Sequence, residues 1–460
     1  MAAVGARSAG KECTSASAGS HDSERRAATT DDGQGVSFRH GYLGGAMDAL
    51  PDNERIPTLD IVRGFALLGI LIMNMPGFAN SFFIEADGSH LWTKPWDLGA
   101  ELAREMLFSG KFNSMFSLLF GIGFTIQLGR LQEREPERAV AIYMRRLLAL
   151  LAFGLVHAFV FWNGDVLHVY ALLGFLLLFL RGVSNRTIYL LIALCLLYPA
   201  VSGALRLLVI TPEMVKANVA LMQSWEASNN AAYGHGSFLV AAGEHAREQV
   251  FIYTNPLMLW GLFGFYVLMA TTMLIGFLIG RNGWVRRIPE LMPAIRRLQW
   301  WALGIGIVCA LVFGILGEMN RAPGPTPIKI VISIAYVVCR LALMMFYVFT
   351  IVRLAQLPAW QRIFAPIAAA GRMPLTNYLM QTLIATTIFY GWGLGLWGTV
   401  GPAAGLALAF AIFFFIQVPV SLWWLRRFRF GPLEWLWRLL TYGHRPTAAQ
   451  VGTTTGVASG

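Results

Sequence analysis

LDIVRGFALLGILIMNM, residues 59–75, carries Asp60 and Arg63 near its start and Asn74 near its end, and is otherwise apolar. A helix needs roughly 20 predominantly apolar residues to cross a hydrocarbon core of about 30 Å. Extended to residue 79, this stretch has that length. Similar runs recur outward from it as far as Leu425, and the 460-residue chain is 56% hydrophobic and only 13% charged. Soluble domains are about 25% charged. The expected fold is therefore all-α, a polytopic transmembrane bundle of about ten helices. The spans fall near residues 59–79, 112–129, 147–162, 165–180, 187–210, 256–280, 299–317, 328–352, 373–391 and 401–425. Asn163 and Gly164 alone divide the third span from the fourth and read as a tight turn.

The net charge of +11 has no basic domain set apart to carry it, which argues against a nucleic-acid partner. The basic residues collect instead in alternate loops: Arg130, Arg134, Arg138, Arg145 and Arg146, then Arg281, Arg286, Arg287, Arg296 and Arg297, then Arg426, Arg427 and Arg429. The opposite loops hold few, chiefly Lys94, Arg104, Lys111, Lys216, Arg247 and Arg321. Cytoplasmic loops are the basic ones, so both termini are expected in the cytoplasm and the protein in the cell membrane. Residues 1–54 and 443–460 read as disordered tails around a transmembrane domain at 55–442. Residues 211–255 read as an external segment, a small amphipathic cap or mouth. Cys13, Cys195, Cys309 and Cys339 lie far apart without metal-like spacing and serve as small apolar fillers. No dinucleotide fingerprint, phosphate loop or zinc-protease motif occurs, and neither a metal nor a tightly bound cofactor is expected.

An ionisable group at mid-bilayer costs roughly 2.5–3.5 kcal/mol on insertion scales, so each needs a partner, a water-filled cavity or a function. Asp60 and Arg63, three residues apart, suit an interfacial pair, and Asn74 lies about 16 Å further along the helix. In LVHAFVFWNGDVLHVYAL, residues 155–172, His157 and Asp165 face each other across the turn. A carboxylate there orients an imidazole and leaves its second nitrogen as a general base. His168, one helical turn past Asp165, is a second candidate partner. The plainer reading makes Asp165 a helix cap, Trp162 an interfacial anchor and His157 a bonder between helices.

In GRMPLTNYLMQTL, residues 371–383, Arg372 and Thr376, and Asn377 and Gln381, are spaced by four. Arg372 with Arg63 offers two guanidinium groups at the inner mouth, suited to a phosphate-bearing ligand. Asn377, Gln381, Asn74 and His157 would then mark a polar route toward the outer side. Lys111 opens the second span in GKFNSMFSLLFGIGF, residues 110–124, and Gly121 and Gly123 suit close helix packing.

Five stretches resemble the YeiB-type membrane proteins, a family catalogued as domain of unknown function 418. They are TLDIVRGFALLGILIMN (58–74), GKFNSMFSLLFGIGF, GLVHAFVFWNGDVLHVYAL (154–172), GRMPLTNYLMQTLIATTIFYG (371–391) and FGPLEWLWRLLTY (430–442). That family is similar in turn to transmembrane acyltransferases, which draw acyl groups from cytoplasmic acyl-CoA. The resemblance implies acyl-CoA as co-substrate and an acceptor hydroxyl on a small molecule, glycan or lipid. Many of those enzymes place a catalytic histidine about three turns after the first-span arginine, where this chain has Asn74. His157 is then the expected base, with Asp165 orienting it and Asn74 stabilising the oxyanion. Arg63 and Arg372 hold the donor phosphate, and Lys111, Trp162, Asn377 and Gln381 contact substrate. The rival readings are a carrier using the same polar line and a non-catalytic scaffold. Oligomeric state is open.

Overall fold

Each apolar run is helical in the computed structural model, which describes residues 56–443. Both expected tails lie outside the described residues, apart from Gly443. Helix α1 spans Pro57–Ala79, α2 Pro95–Leu107 and α3 Lys111–Arg134. Helix α4, Ala139–Val156, runs on through one π turn, His157–Phe161. Next come α5 (Leu167–Leu180), α6 (Asn185–Val209), α7 (Pro212–His235) and α8 (Phe238–Thr254). They are followed by α9 (Pro256–Arg281), α10 (Ile288–Met319) and α11 (Pro327–Leu354). Helices α12 (Pro358–Gly371) and α13 (Pro374–Phe389) precede α14 (Pro402–Ala411), whose π turn Ile412–Gln417 leads into α15 (Val418–Leu425). Helix α16, Pro432–Tyr442, closes the series. Proline opens many of these helices because its missing N–H is an orphan there in any case. Ser184, Thr211, Ser237 and Asn255 cap α6, α7, α8 and α9 with side-chain oxygens.

The protein is an all-α polytopic membrane bundle. Among the described residues, eight helices are long and apolar enough to cross a membrane. The other two expected spans correspond to the shorter α5 and α13. The most apolar part of α1 is 67% buried, whereas those of α6 and α10 are 17% buried. The first therefore lies at the centre of the bundle and the latter two present their side chains to lipid. Lipid is as apolar as leucine, so close packing and polar bonds, more than hydrophobic exclusion, join the helices. Helices α3 and α9 meet in this way. A Cβ at Gly121 would collide with the Met273 carbonyl, and one at Gly276 with that of Leu118. Gly123 meets open space and takes no part. Gly64 and Gly371 bring α1 and α12 equally close, against Ile367 and Asp60.

Apolar periodicity did not announce α2, α7, α8, α12 or α16. The pair α2 and α3 is one membrane passage broken at Phe108–Gly110, where Gly110 adopts φ 74°. The break lies deep. Gly110 N–H approaches Met73 Sδ of α1, and Phe112 packs on Gly69. Residues 211–255 form the helical pair α7 and α8, which packs at the end of the bundle reached by α1 at Gly77; we term this the cap end. The opposite, basic end holds Arg63, Arg130, Arg146 and Arg372.

Candidate functional site

Asp165 stands in the turn between the π turn and α5, and its carboxylate joins two histidines. His157 Nδ1 lies 2.7 Å from Oδ1, and His168 Nδ1 lies 2.7 Å from Oδ2. The same Oδ2 accepts the His168 backbone N–H at 3.0 Å, so Asp165 also caps α5. Gly154 makes this closeness possible, because a Cβ there would strike the His168 backbone. With Asp165 ionised, both Nδ1 atoms carry hydrogen and both Nε2 atoms accept. The Thr382 hydroxyl donates to His157 Nε2 at 2.9 Å and the Tyr253 hydroxyl to His168 Nε2 at 2.7 Å. Tyr378 accepts the Val166 N–H at 3.3 Å and packs its ring 5.3 Å from that of His157.

The two histidines differ in what they face. A cavity of about 390 Å³ is bordered by Asn74, Arg104, Asn113, Asp165, His168 and Arg340, with Trp162 on its wall. His168 borders this chamber. His157 does not; it lies behind Asp165 and is 1% exposed. Trp162 is also 1% exposed, its indole N–H donating to the Gly77 carbonyl at 3.1 Å and its ring lying 4.2 Å from that of Phe78. It is a wall of the chamber rather than an anchor in the membrane interface.

The cap helices hold the turn from above. Glu248, fully buried on α8, accepts from Asn163 Nδ2, Asn229 Nδ2 and the Tyr233 hydroxyl, each at 2.6 Å. Gln249 donates to the Asn163 carbonyl at 2.5 Å. Burial pushes the Glu248 carboxyl up to about 7, against the relief these donors supply. His245, beside it, is driven down to about 3, chiefly by burial and then by the His157 imidazole. At neutral pH it is uncharged, and its 3.9 Å approach to Glu248 is no ion pair.

The basic end carries a second cavity of about 270 Å³, bordered by Arg63, Arg130, Arg146, Arg372 and Arg438 against Asp60 and Glu434. Arg63 bonds Asp60 at 2.5 Å, and the Arg146 guanidinium stacks 3.6 Å over the Trp437 ring. Glu434 receives the N-terminus of α13: the Leu375 N–H at 2.7 Å, the Thr376 N–H at 3.0 Å and the Thr376 hydroxyl at 2.5 Å. Burial raises the Glu434 carboxyl above its ordinary range.

Of the residues singled out in the sequence, Arg63 and Arg372 border one cavity and Asn74, Asp165 and Trp162 the other. Asn377 and Gln381 border neither. Asn377 Nδ2 donates to the Ala370 carbonyl and Ser421, and Gln381 Nε2 to the Leu67 carbonyl and Gln417, tying α13 to its neighbours. Lys111 is 0% exposed, with Nζ on the Glu105 carbonyl at 2.8 Å, just outside the chamber wall. Sequence reasoning passed over Arg340, Glu248, Tyr253 and Thr382. Arg340 had a legible signal, a lone arginine inside the apolar run of residues 328–352. The others had none, because their meaning comes from partners far away in the chain.

Fold and chamber together define a polytopic helical membrane protein with a polar chamber built around a His–Asp–His cluster. Residues 279–444 match a family model described as "Protein of unknown function (DUF418)". The chain is 33% identical over 407 residues to the uncharacterized protein YxaH of Bacillus subtilis (strain 168), covering 85% of this chain and 95% of that one. It is 31% identical over 430 residues to the uncharacterized protein YeiB of Escherichia coli (strain K12), covering 84% and 96%. It is also 26% identical over 409 residues to an uncharacterized 39.9 kDa protein of Bacillus acidopullulyticus, covering 87% and 97%. The chain belongs to this DUF418, YeiB-like family.

Proposed function

We propose that this protein is a membrane-embedded acyltransferase that moves an acyl group from a cytoplasmic acyl-CoA-type donor to a hydroxyl of an acceptor reaching the chamber from the outer side. The observation that carries this reading is the bonded cluster His157–Asp165–His168 with only His168 bordering the chamber. An imidazole oriented by a buried carboxylate, its other nitrogen already accepting a hydroxyl hydrogen, is set to take a proton from an alcohol. The acceptor hydroxyl takes the place that Tyr253 holds. Its oxygen attacks the thioester carbonyl carbon, its proton passes to His168 Nε2, the carbon–sulfur bond breaks, and the proton is returned to the departing CoA thiolate. Asn74, on the same wall, supplies an amide N–H to the oxyanion. His157 is a positioning residue that holds Asp165 from behind.

The basic cavity suits the donor. Guanidinium groups match phosphate geometry, and Arg63 is separated from Asn74 by about 16 Å of helix. A pantetheine arm is long enough to cover that rise. The orientation by basic loops, with both termini cytoplasmic, puts this cavity on the side where acyl-CoA is found. Phe116 and Phe120, on the wall of the basic cavity, stack on Tyr170, the neighbour of the chamber-lining Val169. The broken passage α2–α3 favours a second reading, a carrier, since broken helices at mid-depth recur in transporters.

Purified full-length protein given acyl-CoA and an envelope extract should release free thiol and acylate a component of the extract, and His168→Ala should lose both. Thiol release equal in wild type and His168→Ala would remove His168 from the chemistry. Movement of an extract component across vesicles without covalent change would select the carrier.

A further inference from the structure

Arg340 is the fourteenth residue of the 28-residue α11, about 20 Å of helix from either end. It is 2% exposed and borders the chamber. Its contacts are neutral: Nε donates to the Ser114 hydroxyl, and Nη2 lies 3.7 Å from Met269 Sδ. Among the described residues no carboxylate pairs with it. Asp165, the chamber's one lining carboxylate, is taken by two histidines, and Glu105 is taken by Arg104 at 2.6 Å. Lys111, buried nearby, also has no ion pair among the described residues. A buried charge is normally retained with a partner or a function.

The surroundings are arranged to keep the guanidinium where it is. Gly110, at φ 74°, leaves room that a Cβ would deny, because it would meet the Tyr336 hydroxyl at 2.5 Å and Arg340 Cδ at 3.0 Å. The same glycine breaks the passage, so the N-terminus of the 24-residue α3 lies beside Arg340 with no side-chain cap. Arg104 borders the chamber too, and among the described residues its Nε has no bonded partner. Guanidinium groups and an uncapped helix start are together the chemistry that recognises an oxyanion.

We infer that the chamber binds a ligand through a phosphate-type oxyanion seated between Arg340, Arg104 and the start of α3. That this group belongs to the acceptor rests on the acyl-transfer reading; the binding itself does not. The acceptor is then an anionic alcohol whose oxyanion is held at mid-depth while its hydroxyl reaches His168. A cavity of about 860 Å³ adjoins the chamber through Phe82, Ile252, Leu262 and Phe265, and carries Arg206 and Lys329. It offers such a ligand an entry from the cap end.

The test uses full-length protein in a phosphate-free, non-ionic detergent at fixed ionic strength. Glycerol 3-phosphate is titrated in one arm and phosphatidylglycerol in mixed micelles in the other, with glycerol and a neutral lipid as controls. One of the two should raise the melting temperature saturably. A response to glycerol 3-phosphate identifies a water-soluble ligand, and a response to phosphatidylglycerol alone identifies a lipid headgroup. Arg340→Met should melt higher than wild type without anion and bind the responding probe about tenfold or more weakly. Asn113→Asp, which places a carboxylate on the chamber wall, should likewise raise the baseline and abolish the response, and it serves if Arg340→Met does not fold. The inference is overturned if neither probe shifts wild type, or if the folded variants respond as wild type does. No acyl donor is present, so failure here is distinct from failure of acyl transfer.

Discussion

The two cavities hold their cations in opposite ways. At the basic end, Arg63 is bonded to Asp60, Arg146 is stacked on Trp437, and Glu434 occupies the start of α13. In the chamber, Arg340 has no carboxylate and the start of α3 has no cap. The first arrangement spreads its charge over five arginines at the edge of the bundle, where water and salt reach it. The second places its charge on Arg340, a buried side chain halfway along α11. A site of the first kind attracts a ligand and releases it easily. A site of the second kind waits for a particular group, because the empty state is unfavourable.

The comparison is broken most directly at the histidines. His168→Ala should lower acceptor-dependent turnover by about 10²-fold or more, while His157→Ala lowers it by about tenfold, each read as kcat at saturating donor. Equal losses would place both residues in one function and dissolve the distinction drawn from the chamber wall.

Packing gives the next effect. Gly121→Ala should destabilise by about 1–3 kcal/mol through the α3–α9 contact. Gly123→Ala, facing open space beside the basic cavity, should change stability by less than about 0.5 kcal/mol. Thermal unfolding in detergent reads both.

The cap should show itself in pH. The folded Glu248 holds its proton up to about 7, whereas its unfolded value is 4.5. Its stabilising share is complete below the unfolded value and is lost as pH rises through about 7. His245 acts in the other direction, adding stability as pH rises through 6.5 and nothing further well above it. Between pH 6 and 8 the Glu248 share should fall by about 1–2 kcal/mol while the His245 share rises by somewhat less, so wild type should lose about 0.5 kcal/mol net and Glu248→Gln should turn that fall into a rise. A Glu248→Gln profile that falls as wild type does would locate the titration elsewhere.

The smallest effect belongs to the basic end. Arg63→Gln with Arg372→Gln should raise KM for acyl-CoA about tenfold with little change in kcat, and the wild-type KM should rise with salt over the same range in which chamber binding holds steady. A fall in kcat with KM unchanged would move these arginines from donor capture to chemistry.

Much of the site was legible as suspicion and little of it as arrangement. The insertion cost of a charge marked His157, Asp165 and Arg63 correctly as residues needing a partner, and the eight-residue spacing of His157 and Asp165 across an Asn-Gly turn was enough to expect their contact. The same rule, applied to Arg340, would have found it. It could not tell Asn377 and Gln381, spent on joining helices, from Asn74, which faces a cavity, because all three are carboxamides inside apolar runs. Nor could it choose between two histidines three residues from, and eight residues before, one carboxylate.

The sequence by itself determined that the chain crosses a membrane as helices, and where the apolar part of each lies, though α4 and α10 begin eight and eleven residues before the expected spans, because backbone groups in lipid must be satisfied within the segment and apolar length is a local property. Only the tertiary structure decided that the second passage breaks at Gly110, that α7 and α8 lock the turn of Asp165 through Glu248, and that His168 rather than His157 meets the chamber. Those outcomes depend on which faces of distant helices meet, and apolar pattern carries no such information when lipid and protein neighbours are equally apolar.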